Sequence, residues 1–306
     1  MAHLKKIRVA IIGTGNIGTD LCARMLRDSQ FEVVAFVGRR SDSPGLNMFK
    51  GNVPYLLPNG IDDLVLIADK FEGFFDATSA FDHLHHWSEL EPLGKWAIDL
   101  TPSQVGIPMV PELIGTMQQF LLNGDQSANY SMVTCGGQSS APLIFAMSKH
   151  SKGISEVEVS SSIASKSAGP ATRRNIDQYV QSTENLISLI SGCDSVKAIL
   201  VLNPAEPPVM MRTTVQMKVD SCDLEATRIE VQQVISRIQQ YVPGYNLVVE
   251  PHFSIPNVVT GTVKVTGAGY VLPEYAGNLD IINAAAVETA RRHCENLVKS
   301  ETTKHD

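Results

Sequence analysis

The sequence predicts an α/β protein whose first third differs in character from the rest. Residues 6–38 give a buried-type strand, an amphipathic helix and a second buried-type strand, which together form one βαβ unit. Unbroken apolar strands of this kind are typical of a parallel sheet covered by helices. After residue 135 the strand-like stretches look more exposed, which favours an antiparallel sheet. The 306 residues are enough for two domains, each with its own core.

Each element of the first third has its own signal. "KIRVAIIG" and "FEVVAFVG" are the buried-type strands, and "NIGTDLCARMLRDS" lies between them with Ile17, Leu21 and Leu26 on one helical face. Two further strand candidates, 73–79 and 96–101, end in small polar residues. Such endings commonly lie at the carboxyl edge of a parallel sheet, where ligands bind. When either ending is considered alone, an ordinary loop after the strand explains its small polar residues equally well.

The remainder of the chain interleaves strands with helices. Helices are predicted over 175–191, 223–242 and 279–300. The strand candidates are "SEVEVSSSIASKS", "KAILVLNP", "VMMRTTVQMKVD", "NLVVEPHFS" and "VVTGTVKVTGAG". The sequence therefore predicts a second domain of α+β type.

Composition narrows the function classes. A net charge of −7 argues against binding to a phosphate backbone. No apolar run approaches the roughly 20 residues of a membrane span, and the chain enters a strand without a signal-peptide pattern. We therefore expect a cytoplasmic protein with neither a nucleic-acid nor a membrane partner. The five cysteines are widely and irregularly spaced, which predicts reduced thiols and no metal site.

A glycine-rich loop follows the first strand. Gly13, Gly15 and Gly18 form a GxGxxG pattern after a buried strand and at the start of a helix. Glycines at these positions permit a tight turn and let a pyrophosphate approach the helix N-terminus. The context therefore predicts a Rossmann-type dinucleotide-binding domain rather than a merely structural turn.

Cys135 lies in "NYSMVTCGGQSSAP", between a strand-like run and a helical pattern. The common fate of a free cysteine is a buried structural thiol. A strand-to-helix junction instead places the sulfur near backbone amides that stabilise a thiolate. Gly136 and Gly137 would allow close approach and leave amides free for an oxyanion hole. We favour the nucleophile and keep the structural thiol as the alternative.

A nicotinamide-binding domain and a cysteine nucleophile suggest one chemistry together. The thiolate adds to an aldehyde, hydride leaves for the nicotinamide, and the resulting thioester passes to an acceptor. The sequence predicts an oxidoreductase on this ground.

Several motifs, spread over nearly the whole chain, carry a family resemblance. The chain resembles the acylating acetaldehyde dehydrogenases that partner 4-hydroxy-2-oxovalerate aldolase in the catabolism of aromatic hydrocarbons. The matching stretches are "VAIIGTGNIGTDL" (9–21), "DATSA" (76–80), "IDLTP" (98–102), "MVTCGGQ" (132–138), "SIASKSAGPATRRNID" (162–177), "LNPAEPPVMMR" (202–212) and "YAGNLDI" (275–281).

The resemblance implies a fold, an activity and a set of site residues. It implies a dinucleotide-binding domain over 1–134, a catalytic and dimerisation domain over 135–277, and a last helix, 278–306, that packs back onto the first domain. It implies that Cys135 carries an acyl thioester and that coenzyme A accepts the acyl group of a small aldehyde. The implied contacts to NAD or NADP are Thr14, Gly15, Asn16, Ile17, Ser167, Ala168, Gly169, Pro170, Ala171, Thr172, Arg173, Arg174, Asn175 and Asn278. The implied partners are a second copy of the chain, in a homodimer or a hetero-oligomer, and the aldolase.

The chain departs from the family pattern at Thr213. The family has an aspartate after "PAEPPVMMR", which the resemblance implies would help to activate the cysteine through water. A hydroxyl cannot serve as a base near neutral pH. Either local amides and the helix dipole make the thiolate, or another group does so. Glu206 is near in sequence, and the histidines of "HLHHW" (83–87) are expected on a partly solvated helix.

A second departure follows the second strand, where the family has an acid that would hold the ribose of NAD. This chain has "GRRS", with Arg39 and Arg40 in that place. Arginine matches a 2′-phosphate through its forked donors, so the sequence favours NADP over NAD. The alternative is that both arginines point into solvent.

Two other functions remain open at this point. One is a semialdehyde dehydrogenase that acts on an acyl phosphate, although no matching set of histidine and arginines is evident. The other is a cofactor-binding partner subunit with weak or no catalysis, which Thr213 would indicate.

Overall fold

A computed structural model of the protein describes residues 6–113 and 127–303. The described residues divide into two compact units. The first unit takes 6–109, 127–132 and 286–303, and the second takes 110–113 and 133–285.

The first unit is built on a parallel sheet, as predicted. Its strands are β1 (Ile7–Ile12), β2 (Phe31–Val37), β3 (Tyr55–Leu57), β4 (Gly73–Asp76), β5 (Trp96–Asp99), β6 (Ile107–Met109) and β7 (Asn129–Met132). They lie in the order β3-β2-β1-β4-β5-β7-β6, and every pairing is parallel. The helices are α1 (Asn16–Met25), α2 (Pro44–Met48), α3 (Ile61–Val65) and α4 (Ala80–Leu90). The central strands are apolar and almost fully buried, which explains their unbroken apolar sequences.

The second unit contains a mixed five-stranded sheet. Its strands and those of a small two-stranded ladder are β8 (Ser151–Lys152), β9 (Glu156–Ala164), β10 (Val196–Asn203), β11 (Met211–Lys218), β12 (Ser221–Cys222), β13 (Tyr245–Ile255) and β14 (Val258–Val265). The helices are α5 (Cys135–Ser148), α6 (Pro170–Arg174), α7 (Ile176–Ser191), α8 (Leu224–Ile238) and α9 (Gly277–Thr303). The five strands lie in the order β10-β9-β11-β14-β13, and β8 pairs with β12.

The expectation of a purely antiparallel second sheet was wrong at one edge. β10 runs parallel to β9, whereas β11, β14 and β13 pair antiparallel with their neighbours. The physical reason is that α7 lies between β9 and β10 in the chain and carries it back to the starting end of the sheet. The core of this unit joins α5, α7 and α8 to the sheet, and β11 alternates buried and more exposed residues.

Helix α9 contributes residues to both units. In the first unit, Arg291 pairs with Asp28 at 2.7 Å, and the Tyr130 hydroxyl lies 3.0 Å from Nδ1 of His293. The helix spans 277–303, so it begins one residue before the predicted segment 278–306, and residues 304–306 lie outside the described residues. Among the helices described, none is long and apolar enough to cross a membrane.

Candidate active site

The glycine loop between β1 and α1 is shaped by close backbone contacts. Gly13 has φ +111°, and a Cβ there would lie 2.6 Å from the carbonyl oxygen of Ala77. A Cβ at Gly18 would lie 1.9 Å from the carbonyl oxygen of Gly13. These two positions therefore accept only glycine, one for the turn and one for the packing of helix against strand.

Gly15 is different, because a Cβ there would meet no atom within 4 Å. It is the exposed residue that precedes α1, and Asn16 and Ile17 form the first turn of that ten-residue helix. Thr14 accepts a hydrogen bond from Ser43 at 2.8 Å between the two hydroxyl oxygens. The loop thus holds open space in front of the α1 amides, which is what an anionic group requires.

Arg39 and Arg40 follow β2 and are exposed. Arg39 lies 3.4 Å from Asp82 through Nη1, and Arg40 donates two hydrogen bonds to Asp42, at 2.9 and 2.8 Å. Both guanidinium groups therefore already have a carboxylate partner. Because exposed ion pairs contribute little free energy, either arginine can exchange its partner for a phosphate at small cost.

The segment 167–175 lies between β9 and α7 and is folded by its own hydrogen bonds. The Ser167 hydroxyl donates to the Ala164 carbonyl at 2.8 Å, and Arg173 donates to Ala168 and Ser165 carbonyls at 3.0 and 2.8 Å. Arg173 therefore shapes the loop itself. Gly169 has open space where a Cβ would be. Ala168 is buried, Thr172 and Asn175 are half-buried and Arg174 is exposed; Pro170 and Ala171 begin α6, and their side chains lie outside the description.

Asn278, near the start of α9, has a buried side-chain oxygen without a hydrogen-bond partner among the described residues. The residue is 2% exposed, and the atom concerned is Oδ1. A buried carbonyl oxygen without a donor costs free energy unless a ligand supplies the donor. Asn278 is thus suited to bind an amide or hydroxyl of a cofactor.

Cys135 is the first residue of α5, directly after the short loop that follows β7. Thr134 caps this helix, because its hydroxyl accepts from the Gly137 amide at 2.9 Å. The expectation that both glycine amides stay free was therefore wrong for Gly137, whose N–H serves the cap. The Gly136 amide is directed at the sulfur, where it lowers the pKa of Cys135. The cysteine is half-buried rather than sealed in the core.

The thiol contacts the side chain of Tyr179 on α7, with 3.6 Å between the hydroxyl oxygen and Sγ. Burial raises the pKa of Cys135 to about 11, and the hydrogen bond from Tyr179 opposes this rise. Burial, and then the neighbouring sulfur, raise the pKa of Tyr179 well above its ordinary value. The phenol therefore keeps its proton where the thiol loses one, and it can donate to the thiolate.

Thr213 lies on β11, fully buried among hydroxyls. Its Oγ1 is 3.0 Å from Ser161 Oγ and 2.8 Å from Ser139 Oγ. It is therefore part of a neutral hydrogen-bond network beside the thiol. Glu206 pairs with Lys166 at 2.5 Å, and both side chains are mostly exposed.

The histidines of 83–87 lie on α4, as expected, but two of them are buried. His83 and His86 place their Nδ1 atoms 3.0 and 2.7 Å from Oδ2 of Asp76, at the end of β4. His83 Nε2 is also 3.7 Å from Asp99, at the end of β5. The small polar endings of these two strands thus hold a buried charged cluster, while His85 is the exposed histidine of the helix.

Sequence reasoning missed Tyr179 and Ser161. Tyr179 lies 44 residues from Cys135 and resembles an ordinary aromatic residue of an amphipathic helix. Ser161 is one of three consecutive serines in β9. Only the packing of α5 against α7 and the sheet brings the Tyr179 hydroxyl to the thiol and Ser161 to that hydroxyl, so no local pattern could have identified them.

Comparison with known proteins agrees with this architecture. The solved structure of aspartate semialdehyde dehydrogenase II of Vibrio cholerae, complexed with ASA, matches with a TM-score of 0.62 and 14% identity. The match covers 96% of this chain and 99% of that chain. At such low identity the match establishes the fold, a Rossmann-type unit joined to a second unit with a mixed sheet.

Sequence comparison identifies the family. A family model described as prokaryotic acetaldehyde dehydrogenase, dimerisation, matches residues 135–273. An acetaldehyde dehydrogenase of Pectobacterium atrosepticum is 45% identical over 92% of this chain and 94% of its own length. Another, from Spirochaeta aurantia, is 46% identical over 95% of this chain and 96% of its own length. The chain belongs to the acetaldehyde dehydrogenase family.

Proposed function

We propose that the protein is a CoA-acylating aldehyde dehydrogenase that converts a short-chain aldehyde such as acetaldehyde to acyl-CoA. NAD or NADP is the oxidant, and Cys135 carries the acyl group as a thioester. The observation that carries the proposal is the position of Cys135. Its half-buried sulfur lies at the N-terminus of α5, with the Gly136 amide and the Tyr179 hydroxyl directed at it. A structural thiol needs neither donor.

The chain's own residues account for the covalent steps. The thiolate of Cys135 adds to the aldehyde carbonyl and forms a hemithioacetal, whose collapse to a thioester releases a hydride. The nicotinamide ring, when bound, supplies the acceptor for that hydride. The thiol of coenzyme A then attacks the thioester carbonyl and releases Cys135. The backbone amides of Gly136 and Cys135 are directed at the sulfur during these steps.

Two observations support a dinucleotide. Gly15 leaves open space in front of the α1 amides, where a Cβ would otherwise project. Asn278 keeps a buried oxygen without a donor, and a carboxamide N–H of the nicotinamide would supply one. We also propose the segment 167–175 as a cofactor contact of the second unit, because its folded loop leaves Gly169 open.

The oligomer and partners form part of the same proposal. The family model that matches 135–273 is described as a dimerisation region, which supports a dimer. We also propose an aldolase that supplies the aldehyde, as in aromatic catabolism. Co-purification of the two proteins is the measurement that checks it.

The decisive experiment measures CoA-dependent reduction of NAD(P)⁺ with acetaldehyde. We expect Cys135→Ala to lower kcat by about 10⁴-fold or more while cofactor binding is retained. Cys222→Ala is the matched control, because Cys222 is also a half-buried free cysteine of the same unit. Without coenzyme A, the intact protein should gain the mass of one acyl group on the peptide that contains Cys135.

Other outcomes would select a rival function. Turnover in Cys135→Ala would exclude the covalent route. Turnover with phosphate in place of coenzyme A would favour a semialdehyde-type enzyme. Cofactor binding without turnover in the intact protein would favour a partner subunit.

A further inference from the structure

Tyr179 reaches the sulfur of Cys135 because residue 136 is glycine. The phenol oxygen lies 3.6 Å from Sγ, and a Cβ on Gly136 would lie only 2.2 Å from that oxygen. The same Cβ would lie 3.0 Å from Ser161 Oγ. Residue 136 therefore lacks a side chain at the place where the Tyr179 and Ser161 hydroxyls approach its backbone.

A chain of hydroxyls continues behind the phenol. Ser161 hydrogen-bonds to Tyr179, Ser161 lies 3.0 Å from Thr213, and Thr213 lies 2.8 Å from Ser139. The Ser139 hydroxyl ends the chain by donating to the carbonyl oxygen of Gly136 at 3.0 Å. The thiol, the phenol and three aliphatic hydroxyls thus form a continuous line.

Proton counting gives this line a direction. A carbonyl can only accept, and each hydroxyl has one proton to give. The hydrogen bond from Ser161 lowers the pKa of Tyr179, so Ser161 donates to the phenol oxygen. Thr213 then donates to Ser161, and Ser139 shares its proton between Thr213 and the Gly136 carbonyl. The phenol's own proton is therefore free for the sulfur or the substrate, and its oxygen keeps a lone pair for the S–H group.

We propose that Tyr179 is a catalytic residue that relays the thiol proton of Cys135 and then holds the sulfur in its reactive form. The proposal rests on the function proposed above. As the C–S bond forms, the S–H proton moves to the phenol oxygen, and the phenol's own proton moves to the aldehyde oxygen. The C=O π bond becomes an O–H bond, and Tyr179 is neutral before and after the step.

The relay is geometrically reasonable because sulfur and oxygen share one carbon in a hemithioacetal. An aldehyde oxygen that points to the Tyr179 side of the sulfur therefore comes within reach of the same hydroxyl. Thr213 and Ser161 are positioning residues, because they contact the phenol or its support and not the sulfur. Carboxylates and imidazoles are not needed for this route.

The test is the pH dependence of Cys135 alkylation by iodoacetamide, followed by mass spectrometry of its peptide. We expect Tyr179→Phe to raise the midpoint of alkylation by about one to two pH units, since it removes a hydrogen bond to a charged group. The acidic limb of the kcat/KM profile should move in the same direction, and kcat/KM at neutral pH should fall about 10- to 100-fold.

Tyr245→Phe is the matched control. Tyr245 is another buried phenol of the same unit, and its hydroxyl donates to the Ser139 carbonyl at 2.7 Å rather than to the sulfur. Its loss should leave the alkylation midpoint unchanged. Ser161→Ala keeps the phenol but removes its support, and it should raise the midpoint by less than Tyr179→Phe.

The outcomes separate the two proposals. An unchanged midpoint in folded Tyr179→Phe would overturn the relay and leave the proposed function intact. If Tyr179→Phe does not fold, an unchanged midpoint in Ser161→Ala overturns the relay instead. A raised midpoint in Tyr179→Phe, in a protein that shows no CoA-dependent turnover, would support the role of Tyr179 at the sulfur and overturn the proposed function.

Discussion

Each unit of this protein buries a polar cluster, and the two clusters handle protons in opposite ways. In the first unit, Asp76 contacts both His83 and His86, and Asp99 lies near His83, so ionisable groups meet one another. In the second unit, Cys135 and Tyr179 are backed by neutral hydroxyls of serine and threonine. The first arrangement stabilises the charged forms of its aspartate and histidine, whereas the second allows the thiol of Cys135 to change its protonation state.

The difference lies in what surrounds each ionisable group. Burial raises the pKa of Asp76, but its hydrogen bonds from His83 and His86 outweigh burial and lower that pKa to about 2. Burial lowers the pKa of His83, but Asp76, Asp99 and Asn129 together outweigh burial and raise it. The hydroxyls around Cys135 carry no charge to offset burial, so its pKa stays raised. Charged partners therefore stabilise one protonation state of Asp76 and His83. The neutral donors around Cys135 do not fix its protonation state, which can change during the reaction.

The largest effect is expected when the charge of the first cluster is removed. Asp76→Asn takes the shared acceptor from His83 and His86, and breaking a buried pair costs about 3–5 kcal/mol of unfolding free energy. Urea unfolding of Asp76→Asn and of the intact protein between pH 3 and 8 measures the difference. Asp42→Asn, which removes an exposed carboxylate beside Arg40, should leave stability unchanged within error.

The pH dependence of this difference follows from the directions of the shifts. The lowered pKa of Asp76 stabilises the fold above its unfolded pKa of about 4, and this is lost as the pH falls towards 2. The raised pKa of His83 stabilises the fold below its unfolded pKa of about 6.5, and this is lost as the pH rises through the folded value. Asp99, whose pKa burial raises, opposes the fold when ionised. The cost of Asp76→Asn should therefore peak near pH 4 to 6.5, and a cost independent of pH would contradict a charged cluster.

The orientation of the Asn129 amide bears on whether His83 is protonated. Its Nδ2 lies 3.1 Å from His83 Nε2, while its Oδ1 has no partner among the described residues. With the amide turned round, Oδ1 would accept from a protonated His83, and the unpaired oxygen would be satisfied. The raised pKa of His83 agrees with that orientation.

The next largest effect concerns the hydroxyl cluster. We expect Gly136→Ala to lower kcat/KM about 100-fold, because the new Cβ would displace the Tyr179 hydroxyl from the sulfur. Alanine favours a helix over glycine by about 1 kcal/mol, which offsets part of the steric cost to stability. Gly261→Ala is the control, because a Cβ there meets its nearest atom at an ordinary 3.6 Å, and its kcat/KM should match that of the intact protein. In a Tyr179→Phe background Gly136→Ala should cost less, and strictly additive effects would contradict a shared contact.

These clusters also show what the sequence could and could not reveal. GxGxxG between two apolar strands predicted β1, α1 and β2, because a buried strand and a glycine turn are local signals. The predicted direction of β10 was wrong, because strand direction depends on the crossover through α7 and not on periodicity. The location of Cys135 at a strand-to-helix junction could be predicted, because the strand-like run and the helical pattern adjoin it in the sequence. Tyr179 and the burial of His83 depend on contacts between elements distant in the chain, which no local pattern records.

The smallest effect is expected from exposed charge, in the loop after β2. Arg39 and Arg40 are about three-quarters exposed and already pair with Asp82 and Asp42. Exposed pairs are weak, so a 2′-phosphate can replace either carboxylate and gain the stronger bidentate match. We expect the protein to prefer NADP over NAD about tenfold in kcat/KM, since one charged contact is worth roughly 1.5 kcal/mol.

Arg40→Asp should abolish the preference for NADP. Lys197→Asp makes the same charge change at an exposed residue of β10 and should preserve the preference. Asp82→Ala should strengthen the preference by freeing Arg39. A preference for NAD in the intact protein would show that both arginines serve only their acidic neighbours.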